Sequence, residues 1–129
     1  MAQIKIYGLR QHLSAVRGTL SDTVHACVVD ALAYPADKRA HRFFPLERED
    51  FIAPAGRSDR YTIIEISMFE GRSVDAKKRL IRLLFERLER DCGIGPIDVE
   101  ITITETPKHN WGIRGVPGDE LALDYRVEV

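Results

Sequence analysis

YTIIEISMFEGRSVDAKKRLIRLLFERLERDCGIGPIDVEITIT, residues 61–104, carries the pattern that decides the fold. Its first nine residues, Tyr61 to Phe69, are a run rich in β-branched and aromatic side chains, which predicts a strand. Gly71 turns the chain and Ser73 is a good helix N-cap. Leu80, Leu84 and Leu88, flanked by Ile81 and Phe85, recur at helical spacing and predict a helix over 74–91. Its outer face is charged, with Asp75/Arg79 and Glu86/Arg90 spaced as favourable i,i+4 pairs. Gly93 stops it. Over 97–104, Ile97, Val99, Ile101 and Ile103 alternate with Asp98, Glu100, Thr102 and Thr104, so a second strand follows. A strand, a crossover helix and a strand imply parallel pairing with a right-handed connection.

The N-terminal half echoes this unit. Residues 3–7 alternate, with Ile4 and Ile6 on one face. Over 13–33, Val16, Leu20, Val24, Cys27, Val28, Ala31 and Leu32 form one apolar helical stripe, which Tyr34-Pro35 ends because the residue before proline is pushed out of the α region. Residues 36–60 are less regular, with Arg42-Phe43-Phe44 as a short extended piece and Pro54, Gly56 and Ser58 marking a loop. Pro35 and Pro96 stand at corresponding places, giving a pseudo-repeat of 1–60 and 61–129 within one domain. Residues 106–119 read as a loop, and 121–129 alternate again (Leu121, Leu123, Tyr125, Val127, Val129) as a last strand. The expectation is an α+β fold: two βαβ units forming a four-stranded sheet with both helices on one face. The other face is left bare, and an apolar patch there predicts oligomerisation.

A length of 129 residues suits one domain with a real core. The net charge of −1, without a basic run, excludes nucleic acid and anionic membrane as natural partners. No apolar stretch is long enough to span a bilayer, and the N-terminus lacks the apolar region of a signal peptide. Two cysteines, Cys27 and Cys92, argue against a disulfide scaffold and fit a reducing cytoplasm. His12, His25, His41 and His109 lack metal-ligand spacing, so no metal is expected. His25 and Cys27 read as structural, and Cys92 sits at a helix C-terminus, which does not activate a thiolate.

Four segments, in order, carry a resemblance: Ala33-Tyr34-Pro35-Ala36-Asp37-Lys38-Arg39, Phe69-Glu70-Gly71-Arg72-Ser73, Glu89-Arg90-Asp91-Cys92-Gly93-Ile94 and Glu105-Thr106-Pro107-Lys108-His109-Asn110-Trp111-Gly112. With them the chain resembles the tautomerase superfamily, in its malonate semialdehyde decarboxylase-like branch, over nearly its whole length. The resemblance implies a homotrimer with the sheets facing a central barrel, small oxo- or unsaturated-acid substrates and no cofactor. In that family, removal of the initiator Met exposes a proline whose secondary amine acts as base, acid or nucleophile. Here the position is Ala2. Lys38 aligns where the decarboxylase has a catalytic Asp, with Asp37 one residue earlier, and Glu70 replaces one of its two arginines, leaving Arg72.

The candidate site follows from these residues. Ala2 or the terminal amine, and Lys38, are the candidates for moving a proton. An amine in a dry pocket beside cations loses basicity and can act as a base or form a Schiff base. Arg72 and Arg39 are the candidates for binding a small carboxylate, which arginine grips with two parallel hydrogen bonds. Trp111 is the candidate apolar wall. Each has a plainer alternative: the start of a strand for Ala2, solvated or interface ion pairs for the arginines, a subunit-interface anchor for Trp111. Two functions therefore stand side by side. One is an isomerase with weak or altered activity, catalysing keto–enol tautomerisation or a related decarboxylation or hydration. The other is a non-catalytic trimeric binding or structural protein that has kept the fold.

Overall fold

A computed structural model describes residues 1–129. The chain runs β1 (Ala2–Leu9), α1 (Arg10–Leu32), β2 (His41–Leu46), β3 (Thr62–Phe69), α2 (Val74–Cys92) and β4 (Val99–Thr106). A two-residue hairpin follows, β5 (Gly112–Ile113) and β6 (Val116–Pro117). Arg114 and Gly115 both take positive φ at its tip, as tight hairpin turns require.

The main sheet has the order β2-β1-β3-β4. Each βαβ unit is parallel within itself, and the units join antiparallel through β1 and β3, with Ile4 opposite Ile66 and Ile6 opposite Ile64. The expected four-stranded sheet of two βαβ units is thus the observed one, and both helices cover one face. Ile4, Ile6, Ile64, Ile66 and Met68 from the inner strands meet Leu13, Leu20, Val24 and Leu32 of α1 and Leu80, Leu84 and Leu88 of α2, all essentially without solvent exposure. Removing a buried leucine leaves a cavity that close-packed neighbours fill only in part. Leu84→Ala should therefore lower unfolding free energy by about 2–5 kcal/mol in a denaturant titration.

Several expectations need correction. The fourth strand is His41–Leu46, which had looked like a short extended piece, and residues 121–129 form no strand. Their alternation survives as alternating exposure, with Val127 buried and Asp124, Arg126 and Glu128 exposed. They have no partner strand in this chain. Instead Val129 O accepts from Ser73 N–H (3.0 Å), and Val127 packs where a Cβ on Gly71 would reach 3.0 Å from it. The last strand of the second unit begins at Val99, not residue 97. Ile97 is exposed, and Asp98 is buried because Ser58 N–H and Oγ–H donate to its carboxylate (2.7 and 2.6 Å). The i,i+4 ion pairs on α2 do not form: Arg79 donates to Asp30 O on α1 (2.6 Å), and Arg90 turns to Asp91 (2.7 Å). A long side chain takes the better-packed partner over one worth only a few tenths of a kcal/mol.

The caps are as the sequence predicts for α2. Ser73 Oγ accepts from Ala76 N–H, and Gly93 closes the helix in the left-handed region. α1 starts three residues earlier than its stripe, directly out of β1, and Ala33 (φ 49°) ends it before Tyr34-Pro35. The uncovered sheet face is mixed, not a plain apolar patch. Tyr7 stacks on Phe44 (4.7 Å between centroids) and donates to Glu65 (2.6 Å), while Arg42 donates to Gln3 (2.6 Å).

Candidate functional site

The first residue of the chain lies at the edge of a cluster that the fold assembles from four segments. Antiparallel pairing sets Ala2 opposite Met68, and Met1 O accepts from Phe69 N–H (3.3 Å). The N-terminus is thereby fixed beside the loop that follows β3. In that loop Gly71 adopts φ 131°, in the region that favours glycine, and Arg72 folds back so that Nη1 donates to Phe69 O (3.2 Å). Arg72 is only 5% exposed, and its Nε and Nη2 have no hydrogen-bond partner.

The remaining members come from the segment after α1 and from the C-terminal segment. Ala2 N–H donates to Tyr34 Oη (3.1 Å). The Met1 α-amine lies 2.6 Å from Tyr125 Oη. The two tyrosine rings meet edge to face, 5.3 Å apart. Lys38 Nζ pairs with Asp124 (2.9 Å) and stands 5.1 Å over the Tyr125 ring. Trp111 packs edge to face on Phe69 (5.2 Å), and its indole N–H donates to Thr106 Oγ1 (2.7 Å).

The electrostatics follow from burial and sign. Burial, then the positive charges of Arg72, Lys38 and Lys108, pull the Met1 amine down to about 4. It is therefore an unprotonated base at neutral pH. Burial, with Tyr34 beside it, pushes Tyr125 up to about 12 against the opposing pull of Arg72, so the phenol keeps its proton while its oxygen accepts from the amine. Burial also raises Tyr34 and lowers Arg72, though a guanidinium stays charged. A folded-state value below the unfolded one means that unfolding takes up a proton between about pH 4 and pH 8, so this amine's contribution to stability falls as pH drops through that window. Acylation of the amine by a limiting neutral reagent, followed by mass spectrometry, should run at a plateau from pH 8 to pH 5 and halve near pH 4. An unperturbed terminus would already lose reactivity below pH 8.

The cluster joins Ala2, Lys38 and Arg72, and reaches Trp111 through Phe69. Arg39 is not part of it: its guanidinium pairs with Asp22 on α1 (2.7 Å) and also donates to Ser21 (3.4 Å). Tyr34, Tyr125 and Lys108 were not among the sequence candidates. Tyr34 looked only like a helix stop and Tyr125 only like one tooth of an alternating strand; nothing local in the sequence pointed to either. His25 is buried with Nε2 against Ala36 O (2.7 Å), a structural role as expected. Cys27 lies in the core. No group of three or more His, Cys, Asp or Glu side chains converges as a metal ion would need. A separate cleft of about 770 Å³ opens at the far end of β1, around Leu9, Arg10, His12 and Arg48. There Arg10 is paired with Glu47 (2.7 Å) and Arg48 with Asp59 (3.0 Å), and Arg60 donates to Gly93 O (2.7 Å).

Residues 38–114, more than half of the chain, match the family described as tautomerase enzyme. The chain belongs to the tautomerase family. Among curated tautomerases, it is 40% identical over 57 residues to 2-hydroxymuconate tautomerase of Comamonas testosteroni, covering 44% of this chain and 90% of that protein. It is 29% identical over 97 residues to the probable tautomerase YrdN of Bacillus subtilis (strain 168), covering 71% and 74%. Among solved structures, one of malonate semialdehyde decarboxylase, described by decarboxylase and hydratase activities, superposes with a TM-score of 0.81 at 27% identity over 92% of this chain and 99% of that one. FG41 malonate semialdehyde decarboxylase inhibited by 3-bromopropiolate gives 0.75 at 30% identity, covering 94% and 98%. Native fused 4-OT shares the tautomerase fold at 21% identity, with a TM-score of 0.79. The family match begins at residue 38, so Ala2 lies outside it. No helix of this chain is long and apolar enough to cross a membrane.

Proposed function

We propose that this chain is a cofactor-free tautomerase of small oxo acids, acting as a cytoplasmic homotrimer with its sites at the chain's N-terminus. The observation that carries the reading is Arg72: a buried guanidinium with two unanswered N–H donors, beside an unprotonated amine. An orphaned buried charge is costly, and a planar carboxylate is the group that fits those two donors. The amine then stands next to the acid's α-carbon region as a base for proton transfer, the chemistry named for the curated relatives. Lys38, held by Asp124, contributes positive charge at the rim, and the amine, of Met1 or of Ala2 once Met1 is removed, moves the proton. Phe69 and Trp111 supply an apolar wall. Decarboxylation or hydration, named for the structural neighbour, is a related outcome of the same charge arrangement.

One observation favours a second reading. Ala2 offers a primary amine or a backbone amide where the family resemblance implies a secondary amine, so the chain serves instead as a non-catalytic trimeric binding protein. Ketonisation of phenylenolpyruvate separates the two. The first reading expects a rate above buffer that falls at least about tenfold in Arg72→Ala, a single buried charge contact being worth that much. A rate equal to buffer, with carboxylate binding retained, leaves the second. A sedimentation mass other than three chains removes the trimer.

A further inference from the structure

We propose that Tyr125 is a catalytic residue of this site, the hydrogen-bond donor to the oxo or enol oxygen of the bound acid; the proposal rests on the carboxylate-binding reading above. Two arrangements in the structure lead to it. First, two acids beside the cluster are already tied in ion pairs, while Asp37, Glu70 and Glu128 are exposed to solvent. Asp124 is held by Lys38 (2.9 Å) and Glu105 by Lys77 (2.6 Å). Second, of the two phenols, Tyr34 is already engaged: its Oη accepts from Ala2 N–H and lies 3.8 Å from Met1 Sδ. Tyr125 Oη accepts from the terminal amine (2.6 Å), a tie that a ligand can replace, and Arg72 and Tyr34 are also close enough to hydrogen-bond it.

The chain holds this phenol in place from several sides. Tyr34 packs against its ring edge to face, Lys38 lies over the ring, and the Lys38–Asp124 pair pins the neighbouring residue. Val127, two residues on, is buried at Gly71. Tyr125 is thus a fixed donor between the amine and Arg72.

A 2-oxo acid has its carboxylate and oxo oxygens on adjacent carbons. With the carboxylate on Arg72 Nε and Nη2, the oxo oxygen accepts from the Tyr125 O–H, and the amine, which donates to Tyr125 Oη, keeps its lone pair for the substrate. In enolisation, the amine forms an N–H bond with the proton of carbon 3. The broken C–H pair becomes the C2–C3 double bond, and the carbonyl π pair moves onto oxygen, where the Tyr125 O–H meets the developing charge. The ammonium so formed then gives its proton to that oxygen, which yields the neutral enol and restores the free amine; ketonisation is the reverse, and no other reactant is needed. The high proton affinity of Tyr125 suits this role, since a more acidic group would be ionised and unable to donate.

The test compares two ligands that differ only in that oxygen. Calorimetric titration of phenylpyruvate and 3-phenylpropionate measures the preference for the oxo group. The wild-type protein is expected to prefer phenylpyruvate about tenfold, the worth of one well-placed hydrogen bond. Tyr125→Phe is expected to bring phenylpyruvate down to the affinity of 3-phenylpropionate and leave the latter unchanged. Arg72→Met is expected to weaken both. A preference that persists in Tyr125→Phe, or is absent from the wild type while both acids bind, overturns the Tyr125 assignment alone. If neither acid binds the wild type, or Arg72→Met binds both as well as the wild type does, the carboxylate site is overturned and the Tyr125 role with it.

Discussion

Replacing Arg72 by methionine should make the protein more stable and its ligand site useless. The guanidinium is buried with Nε and Nη2 unpartnered. Each such donor has lost its water and gained nothing, at a cost of about 1–3 kcal/mol. Methionine fills most of the same volume without polar atoms and adapts to irregular gaps. Denaturant unfolding of Arg72→Met should therefore show a gain of about 1–3 kcal/mol, the sign usually found when buried charge gives way to apolar packing. Affinity for a small carboxylate should fall roughly a hundredfold, the size expected when one partner of a buried charged pair is deleted. The two effects have opposite signs because the same side chain is strained in the empty protein and satisfied by the ligand. A destabilised Arg72→Met protein would mean that the guanidinium has partners in solution, such as another subunit, and that its role is structural.

An equally large change is expected at the other end of the proton path. Ala2→Pro, with Met1 removed, should raise the phenylenolpyruvate ketonisation rate by roughly a hundredfold or more, the scale of a well-tuned general base. The physical grounds are local. The Ala2 nitrogen lies 3.1 Å from Tyr34 Oη, in the same cluster as Arg72, Lys38 and Tyr125. A secondary amine there would be a stronger base in a fixed ring geometry, provided the site still receives substrate. Ala2 is nearly fully buried on the core side of β1, and proline is tolerated at the first residue of a strand. Mass measurement of the variant establishes whether its Met is gone. A flat response with Met removed would point to the binding-protein reading, because it would show that the pocket, and not only the base, has lost its function.

Periodicity marks which side of a segment is buried, so the leucine row of α2 and the isoleucine alternation of β1 and β3 were legible at once. It does not mark what the segment is buried against. Residues 121–129 alternate because alternate side chains are turned inward, yet they lie along the Gly71–Ser73 loop without a ladder. The sequence showed only a short extended piece at Arg42-Phe43-Phe44, and the strand His41–Leu46 pairs with β1 because that edge of the sheet has open hydrogen bonds. Arg79 and Arg90 show the same limit: helical spacing proposed partners on α2, and other contacts supplied different ones.

For the site, the sequence by itself determined the kinds of groups and their local settings. The βαβ repeat, Gly71 as a turn, Ser73 as a cap, Arg72 between them and alanine at position 2 all depend on neighbours within a few residues. Only the tertiary structure decided which of these meet. Antiparallel pairing of β1 with β3 brings Met1 to Phe69, and the end of the chain brings Tyr125 to the amine across 124 residues. It also sent Arg39 to Asp22 and left Arg72 unanswered. The reason is that spacing along a chain governs geometry only within an element. A buried cation, a neutral amine and a phenol acquire their shared chemistry from exclusion of water, and that exclusion exists only once all four segments have packed together.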